Sequence, residues 1–255
     1  MLYEALQNVC HIGSMANSLV QAITEDENKK QFVMACIVSE QELVFKDFSF
    51  MENFKKYIHV LATEQVDQIP ISDGYFMKGR SIYLRNNCNH GEARLLDPDG
   101  EIRREITCNP HTVVDDGNNF LHDMELSFRE QFGDSTRPYL LIYSHYVPCT
   151  IPLHFCAGLL KQFVKKTGYN VLVGYTDVFF QSNREHALST LRKSGIQVRH
   201  IPREQGTTEM CCLFKYVITL QKSKQKMEKE NGILSLLSYH VLSANQPRTK
   251  RIGIY

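Results

Sequence analysis

The chain has 255 residues, 43% hydrophobic and 22% charged, with 29 Lys+Arg against 28 Asp+Glu for a net charge of +1. That composition excludes a disordered or collagen-like chain, and no apolar run approaches the roughly 18 residues of a membrane span. The near-zero charge gives no support to a protein that holds duplex DNA by blanket phosphate neutralisation. The length suits one or two domains, and the absence of a visible linker favours a single domain over 1–255.

In chain order, apolar residues at helical spacing (Leu6, Val9, Cys10, Leu19, Val20, Ile23) predict a first helix over 4–23. QFVMACIV (31–38) reads as a buried strand, and ELVFKDF (42–48) as its hairpin partner. An amphipathic helix follows at 50–66, then a short strand RSIYLRN at 80–86. Residues 97–119 are rich in turn formers and read as a surface insertion, with a second insertion expected over about 49–79. FLHDMELSFREQF (120–132) is helical and RPYLLIYSHYV (137–147) is a β run. A helix over 152–167 stopped by Gly168, a strand at 170–176, a helix at 184–195 and a strand at 196–201 complete an α/β alternation. The helical crossover makes those last two strands parallel. The segment 208–243 reads as mostly helical. The expected fold class is α/β, with helices on both faces of a central mixed sheet of about five strands.

Eight cysteines, an even count, permit disulfides, but a chain of this length does not need a disulfide framework, and metal binding is the other standard use of cysteine. The opening MLYEALQNVCHIG lacks the basic and apolar regions of a signal peptide. His90-Gly91-Glu92 follows a strand, and Pro148-Cys149, with Cys156 beyond it, sits where a strand gives way to a helix. Each piece alone is weak. Together they form a set in which one imidazole and two thiolates ligate zinc and leave a fourth position for water. Glu92 would be the acid–base group that does not bind the metal. In a continuous helix Cys149 and Cys156 would be about 10.5 Å apart along the axis. Two thiolates on one zinc must lie within about 4 Å. Residues 150–155 therefore cannot be plain helix from Cys149 onward. The rival ligand is His154, and the alternative for the two thiols is a disulfide or a buried pair.

The segments YLRNNCNHGEARLL (83–96), YSHYVPC (143–149) and LVGYTDVFFQSNREHALSTLRKSGIQV (172–198) resemble the AID/APOBEC-like branch of the zinc-dependent cytidine deaminases, whose secreted vertebrate members are among the sequences they look like. The resemblance covers residues 80–201 well and 1–79 only by the order of elements. It implies a three-layer α/β/α cytidine-deaminase-like fold and deamination of cytosine to uracil in single-stranded DNA or RNA. It implies Zn2+ held by His90, Cys149 and Cys156, with Glu92 catalytic. It further implies Asn86 on the sugar, Tyr146 against the base, and Tyr175, Phe179 and Phe180 as the loop reading the neighbouring base. Val147 stands where that family has Ser, and the spacing of the two cysteines is longer than its usual one. A free cytidine or nucleotide deaminase, a catalytically inactive nucleic-acid-binding module and a non-enzymatic secreted protein stay open beside it.

Overall fold

The computed structural model describes residues 2–24, 32–45, 47–64, 75–77, 80–86, 90–107, 119–151 and 155–202, together with 223, 226, 227 and 229. Helix α1 (Leu2–Thr24) leads into strand β1 (Phe32–Ser39), short helix α2 (Glu40–Phe45) and helix α3 (Ser49–Glu64). Strands β2 (Tyr75–Met77) and β3 (Arg80–Asn86) precede helices α4 (Gly91–Leu96), α5 (Glu101–Thr107) and α6 (Phe120–Phe132). Then come β4 (Pro138–Tyr146), α7 (Cys156–Thr167), β5 (Asn170–Asp177), α8 (Arg184–Lys193) and β6 (Gln197–His200).

The strands form one mixed six-stranded sheet in the order β2-β3-β1-β4-β5-β6. β1 lies antiparallel to both β3 and β4, while β4, β5 and β6 run parallel. The period of two sorts each strand's side chains between two cores. Phe32, Met34, Cys36 and Val38 of β1 join Leu141 and Tyr143 of β4 beneath α1 and α3. Val33, Ala35 and Ile37 join Leu140 and Ile142 on the opposite face, against residues of α4 to α8. Helix α1 lies so close to the sheet that a Cβ on Gly174 would fall 2.1 Å from Cys10 Sγ. The fold is thus a mixed α/β sheet with helices on both faces, and β2 is a short edge strand absent from the sequence reading.

Three sequence expectations change. Residues 42–48 are not the hairpin partner of β1, because Ser39 and Glu42 form a reciprocal helix cap. The backbone N–H of Ser39 donates to Glu42 Oε2 at 2.7 Å, and that of Glu42 donates to Ser39 Oγ at 3.1 Å. This Ser-x-x-Glu pattern starts α2 where a turn was expected. Nor is 97–107 a surface insertion. Buried Asp97 accepts from the backbone N–H groups of Ile102 and Arg103 at 2.8 and 2.9 Å, and α5 places Ile102 in the core. Residues 108–118 lie outside the described residues. The start of the insertion expected at 49–79 is likewise core, since Phe50, Met51 and Phe54 of α3 pack under the sheet. The helix expected over 208–243 falls almost wholly outside the described residues, with Ser223, Lys226, Met227 and Lys229 helical.

Glu42 also ties α2 to the start of β3. Arg80 donates to Glu42 Oε1 at 2.8 Å, and its guanidinium lies over the rings of Phe50, Phe128 and Phe132 at 4.8, 5.3 and 5.0 Å. Removing the carboxylate leaves a buried cation without its counter-charge. Glu42→Ala is expected to lower stability by about 3 kcal/mol, read as a drop in the urea midpoint with unchanged slope; a change within about 0.5 kcal/mol would contradict the assignment.

Candidate metal centre

Two segments meet at the ends of β3 and β4. His90 occupies the N-cap of α4 with φ 68° and ψ 66°, a left-handed conformation. Histidine tolerates that region better than most residues with a Cβ. The turn is closed by Ala93 N–H donating to His90 O at 2.9 Å, and Tyr83 Oη donates to Gly91 O at 3.2 Å. Every residue of α4 is buried, so this six-residue helix is fixed in place by its surroundings.

The second segment leaves β4 at Tyr146 and enters α7 at Cys156. Phe155, the N-cap of α7, is also left-handed, at φ 31° and ψ 56°. The backbone N–H of Ala157 donates to Cys149 O at 3.0 Å, folding the start of α7 back over the first cysteine. The helix thus begins at Cys156, four residues later than the 152–167 expected from sequence, and the described residues 150, 151 and 155 lie outside any helix.

The consequence is a cluster. His90 Nδ1 lies 3.3 Å from Cys149 Sγ and 3.1 Å from Cys156 Sγ. One donor atom from each of the three residues lies within 4.8 Å of the others, and the two thiols are not joined in a disulfide. Zinc at about 2.0–2.1 Å from nitrogen and 2.3 Å from sulfur needs donors roughly 3.6–3.8 Å apart. The set fits that ion after opening by a few tenths of an ångström. His154, the rival ligand, lies outside the described residues.

Glu92 sits beside this cluster and is only 1% exposed. Its Oε1 accepts from Ser144 Oγ at 2.7 Å. Burial raises its pKa, against the opposing pull of the Ser144 hydrogen bond. The Cys149 thiol is lowered to about 4, first because the Cys156 thiol donates to it and then, against burial, because His90 does too. Cys156 is raised well above the ordinary range by the same shared proton and by its burial. Burial pulls His90 down, but its hydrogen bond to Cys149 and the thiolate charge outweigh that and raise it.

The expected base-contacting residues fare unequally. Tyr146 is 8% exposed, with its ring 5.5 Å from that of Phe179; Phe179 lies 4.7 Å from Phe180, which is 83% exposed. Tyr175 needs correction. It belongs to β5, is 1% exposed in the core, and its hydroxyl accepts from Arg184 Nε and Nη2 at 3.2 and 3.1 Å. It is a packing residue rather than part of a reading loop. Asn86 ends β3 opposite Phe32. The sequence reading missed Ser144, which lies on the β4 strand two residues before Tyr146 and gives no sequence signal beyond its place.

No family model matches the chain. It is similar to S-arrestin of Rattus norvegicus, 24% identical over 187 residues, a stretch taking in 68% of this chain and 46% of the relative. It is similar also to S-arrestin of Mus musculus, 24% identical over 126 residues, taking in 45% of this chain and 31% of the relative. The chain spans about half the length of the first relative and about a third of the second. These findings correct the expectation drawn from resemblance. The similarity found runs to S-arrestin, and no deaminase family model matches. Membership of the AID/APOBEC-like family, conversion of cytosine to uracil and classification as a zinc-dependent hydrolase are therefore withdrawn.

In the metal-free protein the lowered pKa of Cys149 means an anion above about 4 that is lost as the pH falls through that value. Cys36 is pushed up to about 12 by burial and stays a thiol. Among the described cysteines, thiolate absorption in the ultraviolet at pH 6 should therefore come from Cys149, fall by half at a pH of about 4 and be absent from Cys149→Ser. Loss of the absorption near pH 8 would contradict the shared-proton geometry.

Proposed function

We propose that this chain is a zinc-holding α/β protein that engages single-stranded DNA or RNA, with His90, Cys149 and Cys156 as the metal ligands. The observation that carries the reading is the convergence of one imidazole nitrogen and two thiol sulfurs within 4.8 Å. The sheet order with β4, β5 and β6 parallel supports a three-layer, cytidine-deaminase-like scaffold, as architecture alone. Zinc held by three protein ligands supplies Lewis acidity and lowers the pKa of a water in its fourth position. Glu92, buried and anchored by Ser144, is the group that would hold a proton beside the ion.

For the partner, the supporting feature is the aromatic run from Tyr146 through Phe179 to Phe180. Exposed rings on a loop stack on unpaired bases, and stacking binds a short strand without the high net charge that duplex binding calls for. Asn86, at the end of β3, is proposed to contact the sugar.

Two experiments test the proposal. Metal analysis of the purified chain should give one zinc, which Cys149→Ser and Cys156→Ser lose and Glu92→Gln retains. At a free zinc concentration about 100 times Kd, the parent should gain about 2.7 kcal/mol of stability. No gain would exclude the site. In fluorescence anisotropy with labelled single-stranded DNA and RNA, Phe180→Ala should weaken binding roughly 5- to 150-fold, the equivalent of about 1–3 kcal/mol for one lost base stack. Equal binding by parent and variant would remove the aromatic loop from the interface.

A further inference from the structure

The chain between β4 and α7 that carries both thiols continues the sheet through Val147 N–H, which donates to Asp177 O at 2.9 Å, and beyond that it contacts the start of α8 and the loop before it. Beside Cys149, Thr150 makes a two-way connection. Its backbone N–H donates to Ser182 Oγ at 3.2 Å, and its Oγ1 accepts from Asn183 N–H at 3.1 Å. Asn183 is itself fixed as the N-cap of α8, its side chain accepting from His186 N–H at 2.9 Å.

Beside Cys156 the contact is through rings. The left-handed backbone of Phe155 is unfavourable for a residue with a Cβ. Its ring occupies the space a Cβ on Gly158 would take, 2.4 Å from the ring's Cδ1 and Cε1. The ring also stacks on His186, with centroids 5.9 Å apart and planes inclined by 19°. The strained turn that aims Cys156 at His90 is thus packed against both Gly158 and an exposed histidine of α8.

We infer that Thr150 and Phe155 are positioning residues for the two thiol ligands, anchored by Ser182, Asn183 and His186 at the entry of α8. This inference rests on the zinc reading above. Groups behind metal ligands fix their orientation, and their loss commonly lowers metal affinity by roughly ten- to a hundred-fold. A role confined to holding the fold together would change stability and leave the ligand geometry as it was.

The test uses the full chain and four variants. Zinc affinity is read by chelator competition, ligand geometry by the thiolate-to-cobalt charge-transfer spectrum of the Co2+-substituted protein, and folding by the thermal midpoint of the metal-free form. Gly158→Ala, which displaces the Phe155 ring, should weaken zinc on the order of tenfold and alter the cobalt spectrum. His186→Ala, an exposed change, and Thr150→Val should do so in the same direction by a few-fold with little change in the metal-free midpoint. Phe155→Tyr, which keeps the stacked ring, should match the parent. If Gly158→Ala does not fold, His186→Ala and Thr150→Val decide the matter. Parent-like zinc affinity and cobalt spectra in the folded variants would overturn the positioning role while leaving the metal site intact. A parent chain that takes up no zinc would overturn both.

Discussion

The site depends on two backbone turns that most residues avoid. His90 and Phe155 both adopt left-handed conformations, and each stands where chain leaving a strand enters a helix. Together they bring donors from segments 59 residues apart into contact at 3.3 Å. Neither turn is stable on its own account. The first is held by the fully buried α4 and by Tyr83, the second by Gly158 and α8. Strain of this kind, about 1–3 kcal/mol per residue, persists only where the surroundings over-determine it.

The sheet supplies the rigid frame. β1, buried along its whole length, is paired on both sides, so β3 and β4 are set relative to one another through a common strand. The chain that follows each of those two strands carries the residues of the His90, Cys149 and Cys156 cluster. The parallel β5 and β6 then bring α8 alongside, and α8 supplies the contacts behind the second segment. The buried carboxylate beside the cluster is anchored from β4 itself through Ser144. Imidazole and thiols thus share one hydrogen-bonded cluster, with the carboxylate held close enough to feel its charge.

Much of the scaffold was legible from residue periodicity. The even and odd residues of β1 part cleanly between two cores, and the Gly168 and Gly195 stops both fall at helix ends. The failures have local causes. The Ser39-x-x-Glu42 cap outweighed the β-prone Leu43-Val44-Phe45 and made a helix. Asp97 turned a run of turn formers into the cap of α5. His90, Cys149 and Cys156, which the structure brings together, could be singled out because few residue types can ligate zinc. Tyr175 was misplaced because an aromatic at a strand end reads the same whether it faces the core or a loop. The family resemblance, drawn from the same stretches, is corrected by the similarity to S-arrestin. The left-handed turn at Phe155 leaves no mark in the sequence, since only tertiary packing selects it.

The central claim is that a nitrogen and two sulfurs share one ion. X-ray absorption at the zinc edge of the zinc-loaded chain measures this directly. The predicted result is two sulfur scatterers at about 2.3 Å with lighter atoms completing a four-coordinate shell. A shell of oxygen and nitrogen without sulfur would contradict it.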